Sequence, residues 1–188
     1  MEPVFTLPYS EFRVANRLAE FFKKQDGYSV LLPSSRTEKG FDLALLNGVK
    51  RKVVTIQVKA SRSYGGKPPK RETTQRFMNR TWFQTFPVPQ ETDWIFLVGM
   101  YPGSWDKTRK SSDVWWQEII LCFSGDEMKE FFGQVRNRNG TPDRFFGFGF
   151  DEPTKIFQTR GDQNREKKDF SGFLFENRIE KIKKLLCK

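Results

Sequence analysis

The chain has 188 residues, 37% apolar and 15% aromatic with 20 Phe, enough to build a core, so wholesale disorder is not expected. It has no histidine, which excludes Ser-His-Asp triads, HNH-type nucleases, His-ligated zinc and two-histidine phosphodiesterases. The formal net charge is +10, and Lys50 to Arg80 alone carries ten Lys or Arg against one acid, Glu72, the electrostatic footprint of a polyanion or of a well-solvated surface. Cys122 and Cys187 give neither a disulfide framework nor a zinc ligand set. No apolar run approaches the ~18 residues that span a bilayer, and Met1 to Tyr9 does not read as a signal peptide. A cytoplasmic protein without a membrane partner is the expectation.

Ser10 to Lys24 reads as the first helix, with Ser10 as N-cap and Glu11 in its first turn. Glu11, Ala15, Leu18 and Phe22 share one stripe, and Glu20 points away from it. Tyr28 to Leu32 is a short strand. Phe41 to Leu46 and Lys52 to Ala60 form a hairpin across the Asn47-Gly48 turn signal. Symmetry about Val49-Lys50 sets Asp42 opposite Gln57, and Thr55, Gln57 and Lys59 leave one face of their strand. Ser61 to Gln90 reads as a long basic loop with a short element near Thr81 to Phe86. Asp93 to Tyr101 and Trp115 to Phe123 are strands. Ser124 to Glu127 is a capping box opening a helix through Phe132. Asn137 to Pro142 is a turn, and Phe145 to Phe150 is a glycine-spaced aromatic strand or a loop packing Phe rings. Ser171 to Leu186 is a helix with Phe175, Ile179, Ile182 and Leu186 on one face. The expected fold is a mixed α/β (α+β) domain over 1–188, a mixed sheet flanked by helices. Its core covers about 10–136, and 137–188 is a Phe-rich C-terminal extension.

Asp42, Gln57 and Lys59 stand where strand patterns call for apolar residues, and unpaired polar groups are costly inside a sheet. A carboxylate, an amide oxygen and an ammonium converging at a hairpin end make a hard-oxygen site suited to Mg²⁺ or Mn²⁺, with a cation beside it for phosphoryl charge. Glu11, on the buried stripe, is a candidate to complete the cluster. Taken singly, each residue has a plainer account. Asp42 suits a strand edge, Gln57 and Lys59 suit the solvent face of an amphipathic strand, and Glu11 suits a first-turn charge.

In these residues, Gly40-Phe41-Asp42-Leu43 followed by Ile56-Gln57-Val58-Lys59-Ala60-Ser61, with Glu11 on a preceding helix, the chain resembles the PD-(D/E)XK nuclease superfamily in its Gln-x-Lys branch. The resemblance covers roughly the first third of the chain. It implies a restriction-endonuclease-like core and metal-dependent phosphodiester hydrolysis. Asp42, Gln57 and Glu11 are then metal ligands, and Lys59 positions water or neutralises charge. Gln57 stands where Glu or Asp is usual, which leaves fewer anionic ligands. The implied substrate is nucleic acid, DNA ahead of RNA, gripped through Arg62, Lys67, Lys70, Arg71, Arg76 and Arg80, and a homodimer stays open.

Two rival functions remain. One is the same fold without cleavage, as a nucleic-acid-binding module or partner subunit, and the other is a scaffold whose Phe-rich C-terminal third is an interface. Trp82-Phe83 and Trp115-Trp116 suit base stacking or, more commonly, a core. Gly147-Phe148-Gly149 opens no helix and so fails as a dinucleotide fingerprint. Asp162-Gln163-Asn164 reads as a loop.

Overall fold

The structure is a computed structural model that describes residues 3–33, 40–63, 77–102, 116–162 and 168–187. Three α-helices and two β-sheets are present among them, a mixed α and β architecture. Helix α1 spans Pro3–Phe21, strand β1 Tyr28–Leu31, β2 Leu43–Asn47, β3 Lys52–Arg62, β4 Asn79–Gln84 and β5 Trp94–Pro102. Strand β6 spans Trp116–Ser124, helix α2 Gly125–Gln134, β7 Phe145–Phe150, β8 Phe157–Arg160 and helix α3 Phe175–Cys187.

The larger sheet runs β1-β2-β3-β5-β6. Its β1-β2-β3 meander is antiparallel, β3 and β5 are parallel, and β6 closes antiparallel on β5. The smaller sheet runs β4-β7-β8, all antiparallel. Alternation assigns the side chains to two cores. Val54, Ile56 and Val58 of β3, with Trp94, Phe96 and Val98 of β5, meet Val14 and Leu18 of α1, Phe22 just after it, and Ile179, Ile182 and Leu186 of α3. Ile95 and Leu97 of β5, with Leu121 and Phe123 of β6, meet Phe83, Met128, Phe131, Phe146, Phe148 and Phe150. Strand β5 is buried on both faces, which explains its unbroken apolar run from Trp94 to Val98. Leu18, fully buried, is worth about 1.5–3 kcal/mol by the area it hides.

The larger sheet is mixed and flanked by helices, as expected, with α1 and α3 on one face and α2 on the other, and the smaller sheet that shares the second face with α2 was not foreseen. Gly99 on β5 permits the close approach. A Cβ there would lie 2.7 Å from Thr81 Cγ2 and 2.9 Å from Ile119 Cγ1. The short element expected near Thr81 to Phe86 is strand β4, and β8 had no sequence signal. The Phe-rich third is core rather than interface, with Phe146, Phe148 and Phe150 at 0% exposure. Nor is 137–188 an appendage, because β7 pairs with β4 and α3 completes the first core.

The first helix starts at Pro3, a residue tolerated in a first turn, so Ser10 is no N-cap and Glu11 no first-turn charge. Ser10 is instead fully buried within the helix. The capping box of α2 is as expected: Glu127 N donates to Ser124 Oγ at 3.3 Å and Ser124 N to Glu127 Oε2 at 2.8 Å. No helix among the described residues is long and apolar enough to cross a membrane.

Candidate active site

The β2–β3 hairpin has the expected register. Leu43 faces Ile56 and Asn47 faces Lys52, which sets Asp42 across from Gln57. Asn47 builds the turn, its Oδ1 accepting from Val49 N and Lys50 N at 3.1 Å each. Asp42 lies just outside β2 rather than inside a strand. Its N–H donates to Ile56 O at 2.9 Å, and its Oδ2 accepts from Val58 N at 2.7 Å. The carboxylate therefore stands in for a strand carbonyl just ahead of the first residue of β2, through Oδ2.

Leu43, Ile56 and Val58 point into the first core, so Asp42, Gln57 and Lys59 share the opposite face of the sheet. In the parallel ladder Gln57 lies beside Ile95 and Lys59 beside Leu97, both in the second core. Gln57 Oε1 is buried without a hydrogen-bond partner among the described residues. Such an atom costs about 1–3 kcal/mol if nothing binds it. Lys59 Nζ lies 5.2 Å from the centroid of the Phe86 ring, a cation–π contact that restrains the ammonium.

Glu11 is on the other side of the sheet. Phe22, just past the end of α1, packs edge-on to Tyr28 near the start of β3, while Arg13 forms an ion pair with Glu118, level with the end of β3. The helix therefore runs antiparallel to β3, and Glu11 stands level with the C-terminal half of that strand. It is half-buried whereas Glu20 is exposed, the order its stripe predicts. The structure unites Asp42, Gln57 and Lys59 on one face and holds Glu11 across the sheet from them.

Two acids that the sequence did not single out lie next to this hairpin. Asp93 Oδ2 accepts from Thr55 N at 2.8 Å and Thr55 Oγ1 at 3.0 Å. Thr55 Oγ1 also donates to Glu91 O at 2.6 Å, and Thr92 Oγ1 donates to Gly40 O. The segment 91–93 thus crosses from β5 over Thr55 to the chain entering Asp42. Glu91 Oε2 lies 3.4 Å from where a Cβ on Gly40 would be. Among the described residues no group of three His, Cys, Asp or Glu side chains is arranged to hold a metal. The oxygens available at the hairpin are one carboxylate and one amide, and that orphaned amide oxygen fits a hard divalent cation.

Of the expected phosphate-gripping residues, Arg62 is exposed at the end of β3, and Arg80 is half-buried on β4 with an Nε that has no acceptor among the described residues. Lys67, Lys70, Arg71 and Arg76 lie outside the described residues. The two sheets join beside this site, where Ser61 Oγ accepts from Trp82 N and Ser63 Oγ from Arg80 N, each at 3.1 Å. Comparison with known proteins gives no match, either to a family model, to a curated protein or to a solved structure.

Proposed function

We propose that the chain is a metal-dependent nuclease of PD-(D/E)XK type that hydrolyses phosphodiester bonds, DNA ahead of RNA, in cytoplasmic defence, restriction or repair. The observation that carries this reading is the buried, unpartnered Oε1 of Gln57, across the hairpin from Asp42 and two residues from Lys59 on one sheet face. A sheet keeps an orphaned oxygen at that cost when a ligand is there to satisfy it. Asp42 and Gln57 would hold Mg²⁺ or Mn²⁺, and a cation bound there supplies the Lewis acid that acidifies water and withdraws phosphate charge. Val58 N–H fixes the Asp42 carboxylate, so the ligand is pre-set. Lys59, restrained by Phe86, brings a positive charge to the phosphoryl oxygens. Arg62 at the end of β3 and Arg80 on β4, next to Ser63, would meet the phosphate backbone at that end of the site.

A second reading, a nucleic-acid-binding module that does not cleave, is favoured by the same bond from Val58 N to Asp42 Oδ2, which gives Asp42 a use in the fold alone. Incubation of the protein with plasmid and Mg²⁺ or Mn²⁺, beside Lys59→Ala and a chelator control, decides between them. Metal-dependent nicking that Lys59→Ala abolishes supports the nuclease. Binding without nicking in any metal supports the module.

A further inference from the structure

We propose that the outer face of the β4-β7-β8 sheet is a stacking platform for an unpaired base, so that the bound nucleic acid is single-stranded where it meets the protein. In β4, Thr81 and Phe83 point inward and are 1% and 6% exposed, while Trp82 between them is 48% exposed. Its neighbours on that outer face come from the ladder: Gly147 faces Trp82, Phe145 faces Gln84, and Arg160 of β8 faces Gly147. Phe145 is 40% exposed. The Arg160 guanidinium carbon sits 5.2 Å from the Trp82 centroid and 4.9 Å from that of Phe145. Asp143 fixes it in a two-pronged pair, Nε to Oδ2 at 3.1 Å and Nη2 to Oδ1 at 3.2 Å. Gly147 lets the indole lie against the strand. A Cβ there would be 3.2 Å from Trp82 Cδ1 and 2.6 Å from Thr81 O. The result is a half-exposed indole restrained by the Gly147 backbone and the Arg160 guanidinium, a form that suits a sequence-tolerant stacking contact.

The charge around the platform selects the occupant. Arg80 shares the outer face two residues from Trp82, and its buried Nε has no acceptor among the described residues. Arg144 is exposed beside Phe145. Of the acids next to these strands among the described residues, Asp143 is neutralised by Arg160 and Asp151 Oδ1 accepts from Met78 N at 2.6 Å. Aromatic faces among cations complement a strand with bare bases and a phosphate backbone. The platform also adjoins the candidate active site. Trp82 N donates to Ser61 Oγ, and Ser61 follows Lys59 by two strand residues, about 7 Å. The inference deepens the nuclease reading by naming its substrate form, and it rests on that reading only for what the bound strand is for.

Fluorescence anisotropy of the full chain with labelled oligodeoxythymidylate, with the same backbone carrying abasic sites, and with a blunt duplex tests it. Trp82→Ala should weaken oligodeoxythymidylate binding about tenfold, from the loss of one base–aromatic stack, and leave duplex binding unchanged. Trp82→Phe should stay within about threefold of the parent, because a smaller ring keeps part of the same stack. Abasic substitution should weaken the parent protein by a similar factor and leave Trp82→Ala unaffected, a comparison independent of how well the variant folds. Unchanged oligodeoxythymidylate binding by Trp82→Ala, an equal loss on duplex, or no binding of either form by the parent overturns the proposal. Plasmid cleavage by the same preparations separates the two claims. A Trp82 effect without cleavage supports the platform without the nuclease, and cleavage without a Trp82 effect refutes the platform alone.

Discussion

Glu127 joins the two cores and offers a measurable electrostatic clamp. It closes the capping box of α2 in the second core, and its Oε1 accepts from Arg178 Nη1 at 2.9 Å and Lys181 Nζ at 2.7 Å on α3, which packs in the first core. Burial alone would raise its pKa, but the bonds from Lys181, Ser124 N and Arg178 outweigh it and lower the value from 4.5 to about 2. At about 1.4 kcal/mol per tenfold change in proton affinity, that is an upper bound of about 3 kcal/mol. The Glu127 and Lys181 side chains are 26% and 48% exposed, so solvent screening reduces it to about 1–2 kcal/mol. Glu127→Gln keeps the shape and a capping oxygen but removes the charge. It should destabilise the fold by about 1–2 kcal/mol at neutral pH in urea unfolding. A folded pKa below the unfolded one gives stability that is present above 4.5 and lost as pH falls toward 2. The gap between parent and variant should therefore close over that window. A deficit that is the same at pH 2.5 as at neutral pH, within about 0.3 kcal/mol of error, would refute the clamp.

Three further outcomes are expected. Gln57→Met removes the orphaned oxygen from its apolar surroundings, so it should leave stability unchanged or raise it by about 1 kcal/mol in urea melts while abolishing cleavage. Gly147→Ala puts a methyl 2.6 Å from Thr81 O, so it should lower the thermal midpoint and weaken single-strand binding together. Neutralising Lys67, Lys70, Arg71, Arg76 and Arg80 should flatten the salt dependence of duplex binding, as read from titrations across ionic strength. The log–log slope should fall by about 0.9 for each phosphate that no longer meets a cation.

Features set by neighbours in sequence were legible. The hairpin register followed from Asn47-Gly48 and the lengths around it, the α2 cap from Ser124 and Glu127, and the buried stripe of α3 from Phe175, Ile179, Ile182 and Leu186. Features set by distant contacts were not. The short element expected near Thr81 to Phe86 is strand β4, Asn79–Gln84, but its pairing with β7 was not foreseen, because Phe146 and Phe148 come from far along the chain to pack against Phe83. Ser10 suggested a cap on local preference, yet it is buried inside a helix that begins earlier. At the candidate site, Asp42, Gln57 and Lys59 were visible as polar residues out of pattern. Glu91 and Asp93 were not, because only the crossing over Thr55 brings them to the hairpin. Trp82 was visible, but its exposure depends on which face of β4 the second core takes.

The most direct measurement of the central claim separates cutting from holding at Asp42. Parent protein and Asp42→Asn are compared for DNA binding by anisotropy and for plasmid nicking in Mg²⁺ or Mn²⁺. The account predicts that Asp42→Asn removes a metal ligand and a negative charge, so nicking vanishes while DNA affinity is kept or rises. Parent-level nicking by a folded Asp42→Asn protein, or a loss of DNA binding in proportion to any loss of nicking, would contradict it.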